Sequence, residues 1–231
     1  MAKGSKGRVG IIGVGIMGGA FARNLIADGW IVAGVDPDPK RRKEMAKAGV
    51  AVSDNVKELI AAVPIVITSL PSPKALHAVA QEIAAAKAKP RIVIEASTFA
   101  LDDKLAAEKV LRKAGHTMLD CPVSGTGAQA AVKDLVVYAS GDSKAIEKIR
   151  PVFAGFSRQT HDLGEFGNGS KMKYVANLLV AIHNVAAAEG MVLGMKAGLD
   201  PEVIFKFANA GAGQSRMFEI RGPMMVKDDD T

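Results

Sequence analysis

Residues 8–18 read Arg8-Val9-Gly10-Ile11-Ile12-Gly13-Val14-Gly15-Ile16-Met17-Gly18. A short β-branched run stops at a glycine, and Gly13, Gly15 and Gly18 then follow at the spacing G-x-G-x-x-G. In a strand–turn–helix setting each glycine has a distinct use. Gly13 permits the tight turn, Gly15 lets a pyrophosphate approach the backbone, and Gly18 lets helix and strand pack closely. Ile16 and Met17 lie between them, where the helix N-terminus offers free N–H groups to phosphates. Asp36 ends the next apolar run, 18 residues after Gly18. That spacing suits a carboxylate on the adenosine ribose hydroxyls. The same carboxylate would repel a 2′-phosphate, so NAD is expected as cofactor ahead of NADP. Lys40, Arg41 and Arg42 just beyond read as a solvated helix face.

Working outward, period and punctuation place strands over 8–12, 31–35, 65–69, 92–95, 117–121, 135–139 and 160–163. Helices are expected over 18–28, 40–48, 74–87, 101–114 and 143–149, with Gly29 and Gly49 as stops. Strict alternation of strand and helix predicts an α/β fold, a Rossmann-type doubly wound parallel sheet with helices on both faces. The pattern changes after Gly169. Residues 170–196 contain no proline, and Val175, Leu178, Leu179, Ile182, Val185, Met191 and Leu193 spread around most of a helix circumference. So long a helix with so little polar surface is expected to be covered by a second domain or a second subunit. Asp200-Pro201 opens another helix as N-cap and first-turn proline. The expected division is a cofactor domain over 1–166, then a long interdomain helix and an incomplete all-α domain over 167–231. The final stretch is too short for a confident core of its own, so it either packs on a partner or belongs to a longer natural chain.

Composition narrows the function. The chain has 231 residues, 48% hydrophobic, 23% charged and 5% aromatic, with net charge +6. Such an apolar fraction excludes a disordered chain. Nearly all the positive excess lies before residue 48, in Lys3, Lys6, Arg8, Arg23 and the 40–47 cluster, interleaved only with Phe21 and Trp30. Nucleic-acid binding would want more aromatics on a basic face, so none is expected. Cys121 is the sole cysteine, which excludes an intramolecular disulfide and a thiolate zinc cage and suits a reducing, cytoplasmic setting. His77, His116, His161 and His183 show no metal-ligand spacing, so no metal is expected. Gly, Lys or His interrupt every apolar stretch, so no membrane-spanning helix is expected.

Three further stretches stand out. They are Glu95-Ala96-Ser97-Thr98, then Asp120-Cys121-Pro122-Val123-Ser124-Gly125-Thr126-Gly127-Ala128, then Gly167-Asn168-Gly169 with Lys173 and Asn177 downstream. With the first turn and Leu70-Pro71, they resemble the β-hydroxyacid dehydrogenase family, which includes 3-hydroxyisobutyrate dehydrogenase, tartronate semialdehyde reductase and, more distantly, 6-phosphogluconate dehydrogenase. The resemblance runs in order from about Arg8 to Met225. It implies that Gly13, Gly15, Gly18 and Asp36 hold the dinucleotide. It also implies that Leu70, Pro71 and Thr98 lie near the cofactor, and that Ser124, Gly125 and Thr126 cradle a substrate carboxylate. It further makes Lys173 the catalytic lysine and Asn177 a substrate-orienting amide. The cradle usually reads Ser-Gly-Gly, so Thr126 is a departure whose side chain narrows the pocket or adds a hydroxyl.

The residue chemistry stands beside the resemblance. Alcohol oxidation needs a base for the hydroxyl proton while hydride leaves for nicotinamide. A lysine serves once burial disfavours its charge. Lys173 and Asn177, four apart, share one helix face. Ser124 has no His–Asp pair nearby at a spacing that suggests a hydrolase. The expected activity is hydride transfer between NAD and a small β-hydroxy acid such as 3-hydroxyisobutyrate or 2-hydroxy-3-oxopropionate, in a homodimer or larger assembly. Two alternatives stay open: a dinucleotide-binding module without catalysis, and an imine or aldehyde reductase on the same scaffold.

Overall fold

The structure is a computed structural model and describes residues 4–227. The strands are β1 (Arg8–Ile12), β2 (Ile31–Val35), β3 (Ala51–Val52), β4 (Ile65–Thr68), β5 (Ile92–Glu95), β6 (Thr117–Asp120), β7 (Val123–Ser124), β8 (Val136–Ala139) and β9 (Gln159–Asp162). The first helices are α1 (Ile16–Ala27), α2 (Pro39–Lys47), α3 (Val56–Ala62), α4 (Pro73–Ala85), α5 (Leu101–Lys113) and α6 (Gly127–Ala131). The rest are α7 (Ser143–Lys148), α8 (Arg150–Phe156), α9 (Asn168–Lys196), α10 (Pro201–Asn209) and α11 (Arg216–Lys227). The chain divides into two compact units, Met1–Lys173 and Tyr174–Thr231.

In the first unit, six parallel strands run in the order β3-β2-β1-β4-β5-β6. This is the Rossmann order, with its reversal between β1 and β4, and ligands bind beyond the strand ends at that point. Both faces are covered, which is why the strands are almost wholly apolar. Ile11, Ile67, Ile94 and Leu119 enter one core, while their chain neighbours Ile12, Val66, Val93 and Met118 enter the other. This is the period of two expected of a pleated strand. On the first face, Phe21 of α1 meets Phe156 of α8 with ring centroids 4.6 Å apart. On the second, α3, α4 and α5 supply Leu59, Leu76, Ile83 and Leu111.

Local chemistry sets the element ends. Asp38, Ser72 and Asp142 cap α2, α4 and α7 through their side chains. At the end of α1, the Gly29 N–H donates to the Ile26 carbonyl and the Trp30 N–H to the Leu25 carbonyl. That pairing is the Schellman motif, and α2, α5 and α9 repeat it at Gly49, Gly115 and Gly198.

Two features depart from the sequence expectation. The 135–139 and 160–163 runs do not extend the main sheet. They form β8 and β9 of a separate three-stranded sheet, in which β7 pairs antiparallel with β8 and β8 pairs parallel with β9. Pro122 breaks the ladder after β6, and the chain doubles back so that Asp120 and Ser140 form an isolated antiparallel bridge. Strand and helix still largely alternate, but the chain path after Pro122 decides which sheet a strand joins. Helix α1 also begins at Ile16 rather than Gly18, which puts Gly18 inside its first turn.

In the second unit, α10 and α11 pack through Phe205 and Phe218, with ring centroids 5.5 Å apart. Asp200 caps α10 by accepting the Glu202 and Val203 N–H groups, with Pro201 next to it, as the sequence suggested. The apolar side chains of α9 are largely open, with Leu178 61% and Leu193 72% exposed. Despite His183 and Glu189, α9 is long and apolar enough by length and composition to cross a membrane, a property that core helices of soluble proteins share.

Candidate functional site

The end of β1 meets the end of β4 at the turn. The Gly13 N–H donates to the Val35 carbonyl at 2.9 Å, and the Ser69 N–H donates to the Ile12 carbonyl at 2.9 Å. Gly13 has φ +87°, and a Cβ there would collide with the Ser69 carbonyl oxygen. A Cβ on Gly18 would collide with the Gly13 carbonyl oxygen. Neither position admits a side chain, for backbone reasons. Gly15 differs, because a Cβ there would meet only the tip of Arg41. Gly15 caps α1 without a side-chain hydrogen bond and no acid occupies the first turn, so the opening N–H groups of α1 are left for an anion. Ile16 is 77% exposed and Met17 half-buried at this opening.

Asp36 is buried. Its Oδ2 accepts the Val14 N–H at 2.9 Å and its Oδ1 accepts the Asp38 N–H at 2.9 Å. The carboxylate therefore ties the glycine turn to the end of β2, and each oxygen keeps a further lone pair for a ribose hydroxyl. The basic cluster is not simply a solvated face. Arg42 Nη1 donates to the Asp36 carbonyl at 2.6 Å, and Arg41 lies over Gly15 with its Nε 3.6 Å from Asp38 Oδ2.

Leu70 and Pro71 follow β4. The Leu70 N–H donates to Ser97 Oγ at 2.9 Å, which joins this loop to the one after β5. Thr98, the next residue, is exposed. Ser124 ends β7, and Gly125 follows at φ +138°. A Cβ on Gly127 would press Ile16 Cγ2 at 2.8 Å, so the 124–127 loop lies against the dinucleotide turn. Thr126 is the N-cap of α6. Its Oγ1 accepts the Gln129 N–H at 3.3 Å, while the Gln129 side chain accepts the Thr126 N–H at 3.0 Å. The extra hydroxyl is thus occupied in a capping box.

Lys173 sits one turn into α9, half-buried, and burial pulls its amine below the usual lysine value. Asn177 lies four residues further along α9, in the second unit, and is exposed. Asp120, to which the motifs assign no role, anchors the start of α9. Its Oδ2 accepts the Ser170 N–H at 2.7 Å and its Oδ1 the Ser170 hydroxyl at 2.8 Å. Gly169 packs so closely on the Asp120 and Tyr138 carbonyls that a Cβ would collide with the latter. A carboxylate facing the first N–H groups of a helix is a recognisable pairing, but Asp120 and Ser170 are 50 positions apart. Only the topology reveals it. Among the described residues no cluster of His, Cys, Asp and Glu could hold a metal.

A glycine turn at the switch point of a Rossmann sheet, a buried acid at the end of β2 and a half-buried lysine define a nicotinamide-dinucleotide oxidoreductase. Comparison with known proteins makes this specific. Residues 8–164 match the NAD binding domain of 6-phosphogluconate dehydrogenase, and residues 167–231 match the NAD-binding domain of NADP-dependent 3-hydroxyisobutyrate dehydrogenase. An L-threonate dehydrogenase of Cupriavidus necator is 34% identical, over 96% of this chain and 76% of its own length. The solved structure of Mycobacterium tuberculosis 3-hydroxyisobutyrate dehydrogenase with L-serine superposes with a TM-score of 0.89 at 29% identity, over 94% of this chain and 75% of that one. A Streptomyces aurantiacus imine reductase shares the fold alone, at 20% identity and a TM-score of 0.75, over 95% of this chain and 78% of its own. The chain belongs to the β-hydroxyacid dehydrogenase family, as an NAD(P)-dependent oxidoreductase acting on CH–OH groups.

Proposed function

We propose that the protein transfers hydride between NAD and a small β-hydroxy acid, with Lys173 as general acid and base. The placement of Lys173 carries this reading. It follows directly on a buried, anchored helix start, and burial has shifted its amine toward the neutral form. The relatives named for L-threonate and 3-hydroxyisobutyrate support a short hydroxy acid as substrate class.

Gly13, Gly15, Gly18 and the first turn of α1 hold the pyrophosphate, flanked by Ile16 and Met17, with Leu70, Pro71 and Thr98 toward the nicotinamide. The space at Gly15 fits this, since only the end of the Arg41 side chain lies where a Cβ would be. Asp36 takes the adenosine ribose and favours NAD over NADP. When bound, the nicotinamide would supply the hydride acceptor for oxidation at the hydroxyl-bearing carbon and the hydride donor for the reverse reaction. Ser124 and the side-chain-free backbone at Gly125 receive the carboxylate, and Thr126 fixes their loop through the cap on α6. The neutral Lys173 amine takes the hydroxyl proton during oxidation, and the ammonium returns it during reduction. Asn177, four residues on, orients the substrate from the same helix face. Residues 1–166 form the cofactor domain and 167–231 the interdomain helix with the start of a helical domain. The protein works as a cytoplasmic homodimer or larger assembly.

The test is a panel of 3-hydroxy acids with NAD and NADP, alongside fluorescence titration of NADH and NADPH. Wild type should turn over at least one acid and bind NADH more tightly. Lys173→Ala should lose about 100-fold or more in kcat while binding NADH within about threefold of wild type. An alanine variant as active as wild type would overturn the role of Lys173.

A further inference from the structure

Helix α5 turns Lys104, Ala107 and Leu111 toward the core. At the first of these positions an apolar side chain is expected, yet Lys104 is wholly buried. Its ammonium donates to two acceptors and forms an ion pair with a third group. Glu95 Oε2 lies 2.6 Å away, Asp120 Oδ1 2.7 Å and the Ser97 carbonyl 2.7 Å. Glu95 and Asp120 are equally inaccessible. Burying three charges is costly, and removing one member leaves the others uncompensated. Packing alone would be met by a leucine here, so the cluster calls for another account.

The two carboxylates lead in different directions. Glu95 Oε1 accepts the Ser97 N–H at 3.0 Å, and Ser97 Oγ accepts the Leu70 N–H. Lys104 itself holds the Ser97 carbonyl, so this arm fixes the loops of Leu70 and Thr98. On the other side, Asp120 holds the Ser170 N–H and hydroxyl, three residues before Lys173. Ser140 Oγ, bonded to the Asp120 carbonyl at 3.2 Å, accepts the Gly169 N–H at 3.0 Å and completes the grip.

We infer that Lys104 is a positioning residue: its buried ammonium, shared between Glu95 and Asp120, sets the nicotinamide-side loops and the base of the Lys173 helix in one fixed geometry. The inference rests on the reading of Lys173 as acid and base. Misplacement of a reacting group by about 1 Å costs up to about 100-fold in rate, so a clamp joining both loops acts on kcat without touching substrate.

The experiment compares wild type with Lys104→Met and with the milder Ser170→Ala, each checked for folding by circular dichroism. Kinetics are measured alongside hydrogen exchange of the cofactor-free chain. In Lys104→Met, amides 70 and 97 and amides 169 and 170 should lose protection together, with kcat down about 10- to 100-fold. In Ser170→Ala only amides 169 and 170 should loosen, with kcat reduced and NADH affinity within about threefold of wild type. A folded Lys104→Met with wild-type exchange at either segment, or with wild-type kcat, overturns the inference. If Lys104→Met does not fold, Ser170→Ala decides it, and unchanged kcat there overturns it. If wild type turns over no hydroxy acid, the functional reading fails by itself. Joint or separate loosening of the two segments then supports or overturns the clamp without reference to activity.

Discussion

The Lys173 amine is the residue on which the chemistry turns. Burial lowers its pKa, so at a given pH more of it is neutral than of an exposed lysine. Oxidation needs the neutral amine and should accelerate as pH rises through that pKa. Reduction needs the ammonium and should slow over the same range. The kcat/KM profile for oxidation should therefore show an acid limb centred below about 10.4, the ordinary lysine value. Lys173→Arg should abolish that limb, because guanidinium does not deprotonate in this range. A limb unchanged by that substitution would assign the titration to another group. The glycine turn and its tie to Asp36 were legible in the sequence, because Gly13, Gly15, Gly18 and Asp36 are close together and their spacing carries the pattern. Lys104 was not. A lysine near the start of a charged helix reads as surface, and the two carboxylates that neutralise it lie 9 and 16 positions away on separate strands.

At the scale of elements, Thr126 makes a sharp case. The sequence presented it as an intruder in a substrate loop, and the structure makes it the cap of a five-residue helix. Thr126→Ala should cost about 0.5–2 kcal/mol in denaturant unfolding, whereas Thr126→Gly should cost only a few tenths. Because the hydroxyl is engaged in the cap, the glycine variant should keep KM for the acid within about threefold of wild type. A larger change would mean that the hydroxyl also meets substrate. The long, strongly patterned elements β1, β2, β4, β5 and α9 were legible at or near their observed limits. The short α3, α6, α8 and α11 were not, since fewer than four turns of mixed polarity leave little periodicity to read. The second sheet escaped notice for another reason. Pairing partners are a property of the chain path, and Pro122 redirects that path without altering the hydropathy on either side.

For the whole molecule, the open aliphatic side of α9 is the feature with most bearing on the proposed assembly. Val175, Leu178, Ile182 and Val185 are each more than half exposed. In the proposed assembly this apolar surface is the one a second copy would cover. Sedimentation equilibrium at micromolar concentration should give a mass of about twice 24.1 kDa or more. Leu178→Asp should shift it toward 24.1 kDa. The same preparation should stay in the supernatant when mixed with lipid vesicles. Pelleting with vesicles would assign α9 to a membrane.

Cys121 is fully buried where the chain leaves the main sheet for the smaller one, and burial pushes its thiol well above the ordinary value. A lone thiol so protected is a built-in clock. A colorimetric thiol reagent in excess can react only when the junction between the sheets opens, so the labelling rate measures that opening directly. Labelling at the rate of global unfolding would show that the two sheets separate only when the whole domain melts. Faster labelling, slowed by NADH, would reveal a local breathing motion beneath the Ser124 loop and give its frequency.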